Sequence, residues 1–380
     1  MSDVGKVPDQ VRPDPLLICS NPPSLRYGAT SSEESADLKF VCGENRMSTS
    51  ILTEHPVQES RRTIWNSQLL VRLSSLLAFV GVMIYFSLAA PLFLSYSNVL
   101  NVVQQSAVLG VLAFGMTTVF ISGGAHVISG GIDLSAASNM GLSAAIYASI
   151  IQAGGTDWIA LPVTLLTGLI IGAVNAGAIV GLKIFPLLAT LATMNICAGF
   201  ELVLTQNTVV PAASPLLTAV AATGSFAVPN IVYIFFCLAF FLIILIEATP
   251  FGLRLYAVGG FREAAIAAGI RVNRDVSASY LISGVCGSVA AILSLSLLNG
   301  SSPGAGEILL SVVLVALLGV IVSRRSVPTI SGTLISSLFI GFLVNGFQLT
   351  NVSSYWVNGV QGGLILLVVA GSSFSRRAAY

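Results

Sequence analysis

The residues of this chain that could do chemistry are polar side chains set into long apolar stretches. Asn101, Gln104 and Gln105 fall at i, i+3 and i+4, so a helix places them on one face. Thr190, Cys197 and Glu201 recur at helical spacing with Thr193 beside them, and Asn175 and Asn345 stand within two further apolar runs. Polar groups in such runs are costly and default to functional suspects. Amides and hydroxyls hydrogen-bond an uncharged polyol without trapping it, whereas a fixed charge favours ions. The same groups also serve as glue between helices, at about 0.6 to 2 kcal/mol per bond, and the residue types alone leave both uses open.

A second constellation is the run Gly130, Gly131, Ile132, Asp133, Leu134, Ser135. Two glycines followed by Asp and Ser at the start of an apolar stretch describe a broken helix with a fresh N-cap. Irregular backbone at membrane depth persists only where it lines a cavity or is buried in protein. Asp133 therefore either caps the next helix or meets the solute, and both readings place the segment beside a pathway. Enzyme chemistry has little material. There are two histidines, His55 and His126, and five cysteines with no CxxC pair, so neither a zinc site nor a disulfide framework is indicated. No GxxxxGK[ST] phosphate loop occurs, so a nucleotide site is not expected in this chain.

The elements that must hold these residues are membrane helices. Of 380 residues, 55% are hydrophobic and 9% charged, with a mean hydropathy of +0.90, too apolar for an ordinary soluble domain. The predicted fold is an all-α polytopic membrane protein of about ten transmembrane helices, each long enough for a hydrocarbon core about 30 Å thick. The spans run approximately Leu73 to Leu94, Asn98 to Ile121, Leu134 to Ile151, Trp158 to Leu182, Pro186 to Thr205, Ala227 to Ala248, Val276 to Leu298, Ile308 to Val322, Pro328 to Leu349, and Ser353 to Ala370. Residues 1–60, rich in Ser, Pro, Glu and Asp, read as a disordered cytoplasmic tail, and 61–380 as the membrane domain. With both termini cytoplasmic, Lys183, Arg254, Arg262, Arg271, Arg274, Arg324 and Arg325 all fall inside and no Lys or Arg enters an outer loop. Small residues four apart (Gly168, Gly172 and Ala176; Gly284 and Ser288; Ser337 and Gly341) predict close helix packing. Nucleic acid is not an expected partner; membrane lipid is.

The longest inner loop, Thr249 to Asp275, carries a Gly-Gly turn and the short helix-forming run REAAIAAG, stopped by Gly269, with Glu263 near its N-terminus where the helix dipole favours an acid. Its EAAxxxG pattern at Glu263, Ala264, Ala265 and Gly269 resembles the cytoplasmic coupling loop of permeases of the ATP-binding-cassette importers. The GGIDLS run and the PGAGEILLS stretch are similar to permeases of the ribose, xylose and galactose type, and the resemblance covers about Asn98 to Gly371. It implies a bacterial inner-membrane subunit for a monosaccharide or similar small polar solute. It further implies a separate cytoplasmic ATP-binding subunit that holds ATP and Mg and seats the coupling loop, an external solute-binding protein, and a second permease copy, with the pathway formed between the two. The solute pathway is expected to involve Asn101, Gln104, Gln105, Gly130, Gly131, Asp133, Ser135, Asn175 and Asn345.

Two departures from the family pattern stand out. ISGGAHV at 121–127 is followed at once by ISGGIDL at 128–134, a tandem near-duplication of one heptad, and Val322 to Pro328 (VSRRSVP) replaces a glycine-rich loop. Three rival readings compete: an ion-coupled secondary transporter, for which Asp133, Glu201 and Glu247 are the available acids; a permease of the same family for branched-chain amino acids or nucleosides; and a membrane enzyme, which lacks a credible nucleophile and base.

Overall fold

A computed structural model of the chain describes residues 79–123, 131–224, 227–323, 327–353 and 356–366, all within the compact unit Pro56–Tyr380. The N-terminal tail, His126, Gly130 and Arg324–Arg325 lie outside the described residues.

The elements are almost entirely helical. In chain order they are α1 (Phe79–Ala89), α2 (Tyr96–Gly123), α3 (Ala136–Gln152), α4 (Asp157–Ala176, prolonged by a wider turn over Gly177–Gly181), α5 (Pro186–Thr205) and β1 (Val210–Pro211). Then come α6 (Pro215–Ala221), α7 (Asn230–Ile243, prolonged by a wider turn over Ile244–Ala248), α8 (Pro250–Gly260), α9 (Arg262–Ala267), α10 (Val272–Leu298) and β2 (Gly300–Ser301). A short 3-10 turn over Ala305–Ile308 leads into α11 (Leu309–Val322), followed by α12 (Ile330–Leu349) and α13 (356–366). Six of the helical segments are long and apolar enough to cross a membrane: Tyr96–Gly123, Asp157–Gly181, Pro186–Thr205, Asn230–Ala248, Val272–Leu298 and Ile330–Leu349. The chain is thus a multi-pass membrane protein; α1 and Gly306–Val322 are shorter apolar helices.

Two long helices form the centre. α2 and α10 pack on each other; α2 also meets α12 and α11, and α10 also meets α4 and α3. The apolar window of α2 is 89% buried, while those of α4, α5 and α7 are only 28–33% buried. Leu166, Ile170, Leu188, Ile196, Phe240 and Phe241 are among the large apolar side chains left on that outer surface, an arrangement stable where the surroundings are lipid or another apolar helix.

The small residues do what their spacing predicts. A Cβ on Gly168 would overlap the Gly284 carbonyl and one on Gly284 would overlap that of Gly168, so α4 and α10 touch backbone to backbone. Gly341 on α12 likewise admits Ser106 of α2. Such close approach supplies dispersion contacts where lipid offers no hydrophobic drive between helices.

The loops are more ordered than their composition advertises. The stretch after α5 pairs β1 antiparallel with β2, Val210 opposite Ser301, which ties the C-terminal ends of α5 and α10. Asp157 holds α6 in the same layer, accepting from the Leu216 amide at 2.9 Å and the Tyr147 hydroxyl at 2.6 Å. The loop Thr249 to Asp275 contains two helices, α8 and α9, where the sequence pattern predicts one.

Candidate transport site

The break between α2 and α3 is where polar groups converge. Asp133 is 2% exposed. Its Oδ1 accepts from the Ser135 amide at 3.0 Å and the Ser135 hydroxyl at 2.6 Å, a local turn that satisfies the first free donor of the α3 entry. Its Oδ2 accepts from the Ser283 hydroxyl of α10 at 2.6 Å. Asn175 of α4 donates through Nδ2 to the Ser135 hydroxyl at 2.8 Å and, more weakly, to Asp133 Oδ1 at 3.4 Å. Thr190 of α5 donates to the Ile132 carbonyl at 3.1 Å. One irregular segment therefore touches α4, α5 and α10 through named hydrogen bonds.

A buried carboxylate is costly unless its oxygens are satisfied. Both oxygens of Asp133 are engaged by protein donors, so in this state it is a junction among helices, and a solute can reach it only by displacing Ser283 or Asn175. Gly131 belongs to the same junction: a Cβ there would meet the Val119 side chain at 2.9 Å and its carbonyl at 3.0 Å. Two further bonds seal the surroundings, Ser122 to Ser279 at 2.7 Å and Asn139 Nδ2 to the Gly284 carbonyl at 2.9 Å.

The other polar residues separate into two groups. Asn345 of α12 pairs reciprocally with Asn98 of α2, at 2.8 and 3.1 Å, and Asn98 also donates to the Phe93 carbonyl at 2.8 Å. Asn345 is thus engaged as interhelical glue, and Asn98, whose role the sequence reading missed, is its partner. A pair of amides at opposed ends of two apolar runs was the available signal. Asn101 and Gln105 are exposed on α2 and Gln104 is half-buried, so this triplet faces away from the protomer's core near the N-terminal end of the helix. On α5, Thr190, Thr193, Cys197 and Glu201 form one buried face, with the Glu201 carboxylate against Gly141 of α3.

On α9, Glu263 and Ala264 are exposed and Ala265 is buried beneath them. Gly269 has φ +77°, a left-handed conformation that suits glycine, and the Ile270 amide closes back on the Ala265 carbonyl at 3.0 Å. Phe261 and Ile266 are exposed apolar side chains on this surface. Arg262, Ile266, Arg271, Val272 and Asn273 line a shallow groove of about 290 Å³ between α9 and α10. The platform beneath is anchored at three points. Arg254 of α8 pairs with the buried Asp275 of α10 at 3.5 Å, the Tyr256 hydroxyl donates to the Pro328 carbonyl at 2.8 Å, and Glu247 accepts from the Ser331 amide at 2.8 Å at the start of α12.

Packed apolar helices around a hydrogen-bonded irregular segment, with a basic helical platform over α8 and α9, form a multi-pass membrane domain. The chain belongs to the family described as branched-chain amino acid transport system / permease component, whose model matches residues 98–369. Among its relatives, the ribose import permease protein RbsC of Bacillus subtilis (strain 168) is 34% identical over 319 residues, 82% of this chain and 96% of the relative. RbsC of Escherichia coli (strain K12) is 30% identical over 318 residues, with the same coverage of 82% and 96%. The autoinducer 2 import system permease protein LsrD of Escherichia coli (strain SMS-3-5 / SECEC) is 30% identical over 300 residues, 76% of this chain and 88% of the relative. No solved structure matches the chain.

Proposed function

We propose that this chain is the transmembrane subunit of an ATP-binding-cassette importer that carries a monosaccharide, with D-ribose the first solute to test, across a bacterial inner membrane. The observation that carries the reading is the match along 96% of a ribose import permease, which spans the break, the inner platform and the outer loops together. The family description also names branched-chain amino acids, but the relatives similar along most of their length are named for ribose and autoinducer 2. Hydroxyl- and amide-rich polar sites, in place of fixed basic charges, agree with an uncharged cargo.

In this reading about ten helices cross the membrane, α1, α2, α3, α4, α5, α7, α10, α11, α12 and α13, with both termini cytoplasmic. ATP and Mg bind a partner subunit, an external binding protein delivers the solute, and two permease copies pair so that Asn101, Gln104 and Gln105 face the path. α9 seats in the ATPase, Glu263 and the apolar Phe261 and Ile266 making the contact. α8 then distributes the motion, through Arg254–Asp275 to α10 and through Tyr256–Pro328 to the entry of α12. Because Ser283 of α10 holds Asp133, the same movement reaches the α2–α3 break. An ion-coupled mechanism has less support: of its available acids, Asp133 is engaged by Ser135 and Ser283, Glu247 by Ser331, and Glu201 is packed against Gly141.

The test is co-purification of the detergent-solubilised chain with a co-expressed ATP-binding subunit, comparing wild type with Glu263→Arg. Retention on wild type and loss from the variant is the expected result. An ATPase that binds neither, or both equally, contradicts the docking assignment.

A further inference from the structure

An outward-opening cleft lies inside the protomer, apart from the α2–α3 junction. It is about 360 Å³, within the range of about 300–1,000 Å³ typical of small-ligand sites. Val108 of α2 and Met140 of α3 contribute apolar walls. Ser294 of α10, Ser301 of β2, Ser302 and Glu307 contribute hydroxyls and a carboxylate near the outer surface. Ser301 is 2% exposed, yet among the described residues its hydroxyl has no hydrogen-bond partner. A buried hydroxyl is normally paired, and Ser301 is one of three serines among the residues that line the cleft. The walls are rigid where the hydroxyl stands, because Ser301 is pinned by its strand pairing with Val210.

We infer that this cleft is a receiving site for one neutral polyhydroxy solute, bound within a single protomer before it enters the path between copies. The inference rests on the sugar-import reading and adds the place where the sugar is first held. Apolar walls suit the C–H faces of a furanose or pyranose, Ser294, Ser301 and Ser302 offer hydrogen bonds to its hydroxyls, and Glu307 at the rim accepts from two of them. The α-carboxylate of an amino acid finds no cationic partner here, since no lining residue is basic.

The experiment uses the full chain in cells that import ribose. Leu298→Cys, at an exposed position that lines the cleft apart from its hydroxyls, is labelled from outside with a membrane-impermeant maleimide, wild type giving the background from its own cysteines, and Ile308→Cys serves as a second reporter should the first variant not import. D-ribose slows labelling about tenfold when present at about ten times its dissociation constant, L-leucine leaves the rate unchanged, and adding Ser301→Val shifts the protecting ribose concentration upward. A labelling rate indifferent to ribose in a variant that still imports it overturns the receiving site and leaves the importer reading standing. Protection by L-leucine also overturns it. If the wild-type chain imports no ribose, the sugar-import reading fails and the receiving site falls with it.

Discussion

Asp133 draws its donors from its own turn, from α4 and from α10, so its substitution tests a junction among three parts of the chain. Ser283→Ala removes one bond to a carboxylate, worth about 1.5–3 kcal/mol where the acceptor is charged. It is expected to lower the thermal midpoint of the purified protein, read by tryptophan fluorescence in detergent, while Ser283→Thr retains most of it. Asn345→Ala leaves Asn98 with one partner fewer, at a cost of about 0.6–2 kcal/mol; the same melting assay shows a smaller decrease with ribose uptake retained. Gly284→Val drives a side chain into the Gly168 carbonyl. Overpacking of this kind costs about 1–3 kcal/mol or more, and the expected outcome is a sharply reduced monodisperse peak in size-exclusion chromatography. The GGIDLS residues were legible in the sequence as a break with an acidic cap. Their partners were not, because Ser283 lies 150 positions from Asp133 and Asn175 lies 42 positions away, and only packing brings them together.

The apolar runs located the long helices to within a few residues, since hydropathy over about 20 residues is a strong signal. Short elements between them were harder to see. α8 reads PFGLRLYAVGG, with three glycines in eleven residues, which lowers helix propensity. It is helical because Pro250 opens it with a fitting φ and because Gly252 lies where any Cβ would strike the Ile246 carbonyl. β1 and α6 in the outer loop were equally hidden, their order coming from the pairing with β2 and from Asp157. The element most open to test is α8 as distributor. Asp275→Asn weakens the ion pair that joins α8 to α10. It is expected to leave ATP hydrolysis by the assembled complex within about twofold while reducing ribose imported per ATP by more, about tenfold for each 1.4 kcal/mol of coupling lost. Equal loss of hydrolysis and import would assign Asp275 a stabilising role alone.

For the whole molecule, the distribution of burial carries the account. The centre formed by α2 and α10 is buried, the surfaces of α4, α5 and α7 carry exposed apolar side chains, and the segments around α8–α9 and β1–β2 are ordered. ATP-driven uptake of D-ribose into right-side-out vesicles or proteoliposomes loaded with ATP, which hold the chain and its partner ATP-binding subunit with a binding protein outside, tests this arrangement most directly. The account predicts accumulation that requires ATP, survives dissipation of the proton and sodium gradients, and disappears with Glu263→Arg. Uptake that persists without ATP and collapses with the ion gradient would contradict it.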